Sequence, residues 1–258
     1  MAHPSEVFPD QDQVERELKK IHEANPGDPA TSLAKTAIDS DEVESIVKMG
    51  IQFQENISAV FRAMSAFFSR DNTGLPGIGL LFKVQSQCEL NCVWLMIEFL
   101  TRRGQRPQIG AQAAPPKDFT HGKETSDVLY CFEKALAMLK VQHTKASMLY
   151  QKAHERNDAL AVCFATCMVD AASIKVKQYS HYVAHLKVVQ SDKHAIKEFC
   201  RRLPFEIEDF AFATGAESVI PTRLMMDPVF RAKENETKWF NPECYHDIKT
   251  RRVFNRVT

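Results

Sequence analysis

The chain has 258 residues, 44% of them hydrophobic, and its 33 Lys and Arg balance its 33 Asp and Glu. That length and apolar content suffice for one full-sized core with appended segments. Zero net charge excludes a global field for nucleic acid or an anionic membrane, so a charged partner can be recognised only by a local patch.

Residues 1–38 are rich in Pro, Asp, Glu and Gln, with one helix-like run from Asp12 to Ala24, and read as an extension. The first long helix begins near Ser40, where Asp41, Glu42 and Glu44 suit its positive end. Its apolar stripe runs Ile46, Val47, Ile51, Ile57, Phe61, Met64, Phe68 and stops at the turn Arg70-Asp71-Asn72-Thr73-Gly74. Pro76 opens a second helix carrying Leu81, Phe82, Cys88, Cys92, Leu95, Met96 and Phe99, which Gly104 ends. A third, capped by Thr125 or Ser126, shows Leu129, Phe132, Leu136, Leu139, His143 and Leu149. Asn157-Asp158 breaks it and caps a fourth, with Leu160, Cys163, Phe164, Cys167, Ile174, Tyr179, Val183 and Leu186.

Two of the three connections are tight, which predicts two antiparallel hairpins. The middle one, residues 105–123, holds three prolines and can stretch about 60 Å, more than the roughly 40 Å of such a helix. It therefore crosses the bundle and leaves helices 2 and 3 parallel, an all-α four-helix bundle with one long crossover. A short fifth helix is expected at Ser191–Leu203, with Pro204 as its stop. The implied division is an extension at 1–38, a bundle at 39–203 and an irregular arm at 204–258.

That arm scatters aromatics without a period of 3.6 or 2, and so reads as a segment that docks. Trp239, Phe240 and Phe254 offer apolar anchors, and Lys249, Arg251, Arg252 and Arg256 end the chain without an acidic neighbour after Ile248. An acidic protein surface such as a cytoskeletal lattice suits this peptide better than DNA, since the patch is small and no reading helix accompanies it. No apolar run reaches the ~18 residues of a membrane span. The amino terminus lacks the apolar core of a secretory signal, and the seven cysteines sit mostly inside helical patterns, so cytoplasmic residence is expected.

The residues also resemble a family, the ferritins. Met64-Ser65-Ala66-Phe67-Phe68-Ser69-Arg70-Asp71, Phe82, Gln85-Ser86 and Arg103-Gly104 look like a ferritin's first helical hairpin. Glu133, Leu136 and Asn157-Asp158 look like its second, and the run around Ala195-Ile196-Lys197-Glu198-Phe199 is similar to its terminal helix. The resemblance implies a di-iron ferroxidase centre, which needs converging carboxylates and a His. Carried over by position, that centre falls on Gln54, Phe61, Cys88, Glu89, Cys92, Leu139 and Ser173. Only Glu89 matches, so the resemblance implies a ferritin-like chain with a degenerate centre, no resident metal and no ferroxidase activity.

Other chemistry is thinly supported. Cys88 and Cys92 are four apart beside Glu89, with His143 facing in from helix 3, a spacing compatible with a soft metal, although buried cysteines are ordinarily small apolar fillers. A Gly-x-Ser-x-Gly elbow, a phosphate-binding glycine loop and a His-Glu-x-x-His pair are all missing from the sequence. Two functions follow as expectations. One is a non-catalytic structural protein that binds protein partners through its extensions. The other is a cage subunit for intracellular iron storage, co-assembled with other ferritin-like chains, with iron as cargo.

Overall fold

A computed structural model describes residues 41–189 apart from 108, 111, 112, 117 and 121–125, together with 192–214, with side chains as far as Pro204, and Arg16, Lys19, Ile21 and Glu23. Those four N-terminal residues are helical and exposed, within the run expected at Asp12–Ala24.

Helix α1 spans Asp41–Phe68 and buries Val43, Val47, Ile51, Gln54, Ile57, Phe61, Met64 and Phe68, one face at steps of three and four. Its three first-turn carboxylates favour the positive end of the dipole. The turn after it needs a left-handed residue, and Gly74 supplies it at φ 63°. Pro76 then starts α2, Pro76–Arg102, where its missing N–H costs nothing. Ser58 and Ser86 hydroxyls meet at 2.9 Å and the Ser65 hydroxyl donates to the Gly79 carbonyl at 2.7 Å, so small side chains let α1 and α2 approach closely as an antiparallel pair.

Helix α3, Asp127–Glu155, is capped by Ser126, whose hydroxyl accepts from the Leu129 amide. Asn157 takes the positive φ (53°) that closes the next turn. Asp158 then caps α4, Ala159–Val189, accepting from the Ala161 amide at 2.9 Å. Between α2 and α3 the crossover tracks α1 end to end. Gln105 lies by Lys48 (3.5 Å), the Ala113 amide donates to Asn56 (2.9 Å), and the buried Phe119 ring packs edge-on against Phe67 (5.8 Å). The contacts Phe82 with Phe132 and Glu89 with Gln142 advance together along both helices, so α2 and α3 run parallel as the loop lengths require.

The fifth helix departs from expectation. It runs Lys193–Thr214 with Pro204 inside it. A proline removes one backbone hydrogen bond, and the buried face of Ile196, Phe199, Cys200 and Leu203 against the bundle holds the helix up to that point. This α5 crosses α2 so closely that a Cβ at Gly77 would collide with the Cys200 carbonyl.

The core divides in two. Phe61, Phe82, Phe132, Tyr179 and Tyr182 fill one half, and Val47, Ile51, Met96, Leu149, Ala161 and Met168 fill the other. Near the far end of the second half, Arg103 donates from Nη1 to Asp158 at 2.6 Å and brings Nε to 3.7 Å from Glu44, all three side chains being almost fully buried. This ties the start of α1, the end of α2 and the α3–α4 turn together.

The sequence-derived stripes of α3 and α4 are partly off the true inward face. Gln142 rather than His143 points in on α3. On α4 the buried positions are Ala161, Ala165, Met168, Ala172, Lys175, Tyr179, Tyr182, Val183 and Leu186, so Tyr179, Val183 and Leu186 face in as expected while Leu160, Cys163 and Cys167 are exposed. Cys163 and Cys167 are therefore exposed, whereas Cys88 and Cys131 are buried in the core.

Candidate functional site

Between the two halves of the core lies a single polar layer with one side chain from each long helix: Gln54 (α1), Glu89 (α2), Gln142 (α3) and Lys175 (α4). Glu89 is fully buried and Lys175 is 3% exposed. The Lys175 ammonium donates to Glu89 Oε1 at 2.8 Å. Gln142 Nε2 donates both to Glu89 Oε2 at 2.7 Å and to Gln54 Oε1 at 2.9 Å. Gln85, one turn before Glu89 on α2, also donates to Oε1. Every oxygen of the carboxylate thus receives an N–H.

Burial, the largest single influence, would push the Lys175 pKa down, but the adjacent Glu89 carboxylate together with Cys92 and Cys88 holds the ammonium above the usual lysine range. The layer therefore carries one positive and one negative charge, matched internally. Around it, burial raises the pKa of the Cys92 thiol and of the Tyr179 phenol, so both stay protonated. A cleft of about 80 Å³ between α1 and α3, with Met49, Met96, Met148 and Met168 on its walls, ends at Gln54 and Gln142.

The positions carried over from the resemblance are only partly gathered. Gln54, Phe61, Cys88, Glu89 and Leu139 are buried in the bundle, and Cys92 is half-buried beside them. Ser173 is not there: it is exposed, and its hydroxyl donates to the Asp170 carbonyl one turn back. Glu89 bonds neither Gln54 nor Ser173 directly, and Gln142 bridges it to Gln54. Phe61 stacks on Phe82 with ring centres 6.0 Å apart, and Tyr179 brings a phenol ring to 6.4 Å from it.

Lys175, Gln142 and Gln85 were missed by the sequence reading. One signal was available for Lys175. It is the lone basic residue between Ala159 and Val176 and falls in register with Met168, Ala172 and Tyr179. The proposed arm residues Trp239, Phe240, Lys249, Arg251, Arg252, Phe254 and Arg256 lie outside the described residues.

Comparison with known proteins decides the lineage. The ferritin-like domain family matches residues 51–189. The chain is similar to Ferritin-1, chloroplastic, of Nicotiana tabacum, 34% identical over 72% of this chain and 74% of that one.

The chain belongs to the ferritin family.

A second relative, Ferritin-3, chloroplastic, of Vigna unguiculata, is 32% identical over 73% of each chain. Among solved structures, ferritin from the multicellular green alga Ulva pertusa superimposes with a TM-score of 0.70 at 28% identity, covering 76% of this chain and 98% of that one. An open-pore ferritin from the archaeon Archaeoglobus fulgidus, at 21% identity and a TM-score of 0.59, shares the fold. The parallel α2 and α3, the long crossover and the fifth helix are therefore family architecture.

Iron is the cargo that the family implies, and the layer does not fit a pair of iron ions. Hard cations take several carboxylate and imidazole ligands. Here one carboxylate is already saturated by an ammonium and two amides. Among the described residues no group of three or more His, Cys, Asp and Glu comes together.

Proposed function

We propose that this chain is a subunit of a ferritin-type iron-storage assembly, to which it contributes shell and not ferroxidase chemistry. The observation that carries the reading is the Lys175–Glu89 ion pair, with Gln142 linking it to Gln54, at the level of the bundle where the resemblance puts the metal pair. Lys175 supplies, as a covalently attached cation, positive charge that bound metal would otherwise bring to that carboxylate. Gln142 and Gln54 complete the hydrogen bonding, so the layer is electrically balanced without any ion. Iron that reaches an assembly of such chains is oxidised elsewhere, by co-assembled chains that keep the carboxylate set.

Kinship supports the assembly half of the reading, with two relatives above 30% identity matched over about three-quarters of their length. The other expectation, an interaction protein acting through its extensions on a cytoskeletal surface, rests on residues outside the described ones, and the kinship favours the ferritin subunit.

Size measurement and iron oxidation test the two halves separately. Native mass spectrometry of the purified full chain should give a multimeric shell, alone or mixed with an active ferritin chain. Aerobic Fe(II) should then oxidise no faster with the pure protein than in buffer. A strict monomer that refuses to mix overturns the first half. Saturable oxidation at two irons per chain overturns the second.

A further inference from the structure

Glycine inside a helix costs stability relative to alanine, and α1 carries one at Gly50. Its backbone is not left-handed, so no turn asks for glycine there. What it supplies is room. A Cβ at Gly50 would come within 3.2 Å of Met96 Cε and 3.3 Å of its Sδ. Gly50 and Met96 are two walls of the cleft of about 80 Å³ that runs in between α1 and α3 to Gln54 and Gln142. Each long helix contributes one methionine to that cleft, Met49, Met96, Met148 and Met168 in chain order.

The inner end of the cleft holds an acceptor with nothing to accept. Gln142 is 5% exposed, and the amide atom that faces the Glu89 carboxylate and Gln54 Oε1 must be its NH2 group. The other amide atom, Oε1, is buried and takes no hydrogen bond within the chain. A buried acceptor in this state is destabilising, so it favours any occupant that can donate. Water is a poor one, because it needs two to four polar partners, and the other buried walls, Val47, Met96, Ala146, Leu149 and Met168, are apolar. Those walls belong to one chain and are buried within it, so the site does not depend on the outer faces of α1 and α3 staying free.

We propose that the cleft binds a small uncharged molecule with an apolar body and one hydroxyl or N–H donor, the donor on Gln142 Oε1 and the body among the methionines. Its volume is about half the ~150 Å³ of a cavity that takes benzene, so the ligand has about four heavy atoms, as a short-chain alcohol does. Charge is excluded on both sides. An anion would meet a carbonyl oxygen at the floor. A cation would leave water for apolar walls past the Lys145 ammonium, which lies 5.2 Å from the Phe53 ring centre at the rim. Unbranched thioether side chains fill irregular shapes, so the methionine walls can close on occupants of different outline while the single acceptor fixes their orientation.

The test uses the full chain in the assembly it forms, with its methionine methyl groups carbon-13 labelled and read by NMR. 2-Propanol should shift the Met96 and Met168 methyls along a saturable curve with a Kd of about a millimolar, while Met64, in the other half of the core, stays in place. Acetone has as many heavy atoms but no donor, and should bind about three- to tenfold more weakly, the worth of one hydrogen bond. Gly50→Val should fill the cleft and abolish the 2-propanol shifts. Gly50→Ala, which adds one carbon against the flexible end of Met96 and keeps the fold, should weaken binding. Shifts that never saturate, equal curves for 2-propanol and acetone, or parent-like binding in the folded Gly50→Ala chain each overturn the proposal.

Discussion

Replacing Lys175 with Met removes the ammonium while keeping most of the side chain's volume, and so isolates the charge. At 2.8 Å and an effective dielectric of 20, the attraction to Glu89 amounts to about 6 kcal/mol gross. Much of that offsets the desolvation of both groups, so the pair's net worth is small. Removing one partner is different, because it leaves the fully buried Glu89 side chain with only amide donors around it. Loss of one member of such a pair costs about 3–5 kcal/mol, a large part of the 5–15 kcal/mol that holds a domain folded. In urea, at a slope near 2 kcal/mol per molar, the midpoint should fall by about 2 M.

Adding Glu89→Gln to the same chain should recover most of the loss, since no unpaired charge then remains. The midpoints must be compared at one protein concentration, because assembly adds to apparent stability. The pH dependence follows from the raised Lys175 pKa. A cation whose folded pKa exceeds its unfolded value of about 10.4 contributes fully below that pH and loses its contribution only as pH climbs through the folded value. The stabilisation that Lys175 gives the parent chain should therefore be flat from pH 6 to 9. A single variant within about 1 kcal/mol of the parent, or a double variant no better than the single, would refute an ion pair that holds this layer together.

Three further outcomes are expected. Asp158→Ala removes both the nearer of two buried carboxylates beside Arg103 and the cap on Ala161, so it should cost about 4 kcal/mol, with Asp158→Asn recovering about 1 kcal/mol of it through the cap; equal midpoints for the two variants would contradict this. Gly77→Ala should lever α5 off α2 through the collision with the Cys200 carbonyl, read as faster thiol labelling of Cys200 with helix content almost unchanged. Cys131, whose pKa burial pushes up to about 12, should stay unalkylated at pH 8 for as long as the fold persists, and labelling at the rate of the denatured chain would show that its site opens.

How far the sequence could be read depends on how many faces of each helix are apolar. On α1 polar residues fill the outward face, so the stripe from Val47 through Ile51 and Phe61 to Phe68 has one solution, and it is the buried one. The loop lengths likewise leave one topology, because tight turns at Gly74 and Asn157 force hairpins and the long segment between Gly104 and Ser126 has room to cross. Pro204 misled for a local reason: a proline ends a helix only when nothing else holds it, and here Phe199, Cys200 and Leu203 are already seated on the bundle.

Helix α4 is the instructive failure. Its apolar residues satisfy two stripes offset by one position, and in the more hydrophobic of the two Leu160 and Cys167 are exposed while Phe164 and Ile174 are only half-buried. Periodicity ranks faces by apolar content, whereas folding ranked these by what the opposite helix could pair with. Glu89 on α2 needed a cation, and Lys175 could provide one only if the stripe of Ala161, Ala165, Met168 and Ala172 faced inward with it. Those small side chains also let α4 sit close to α3. The ion pair thus favours the observed rotation of α4 about its own axis, and the same rotation leaves Leu160 and Cys167 exposed. The inward stripe of α4 and the charge-matched polar layer therefore meet in one residue, Lys175, whose ammonium lies 2.8 Å from Glu89.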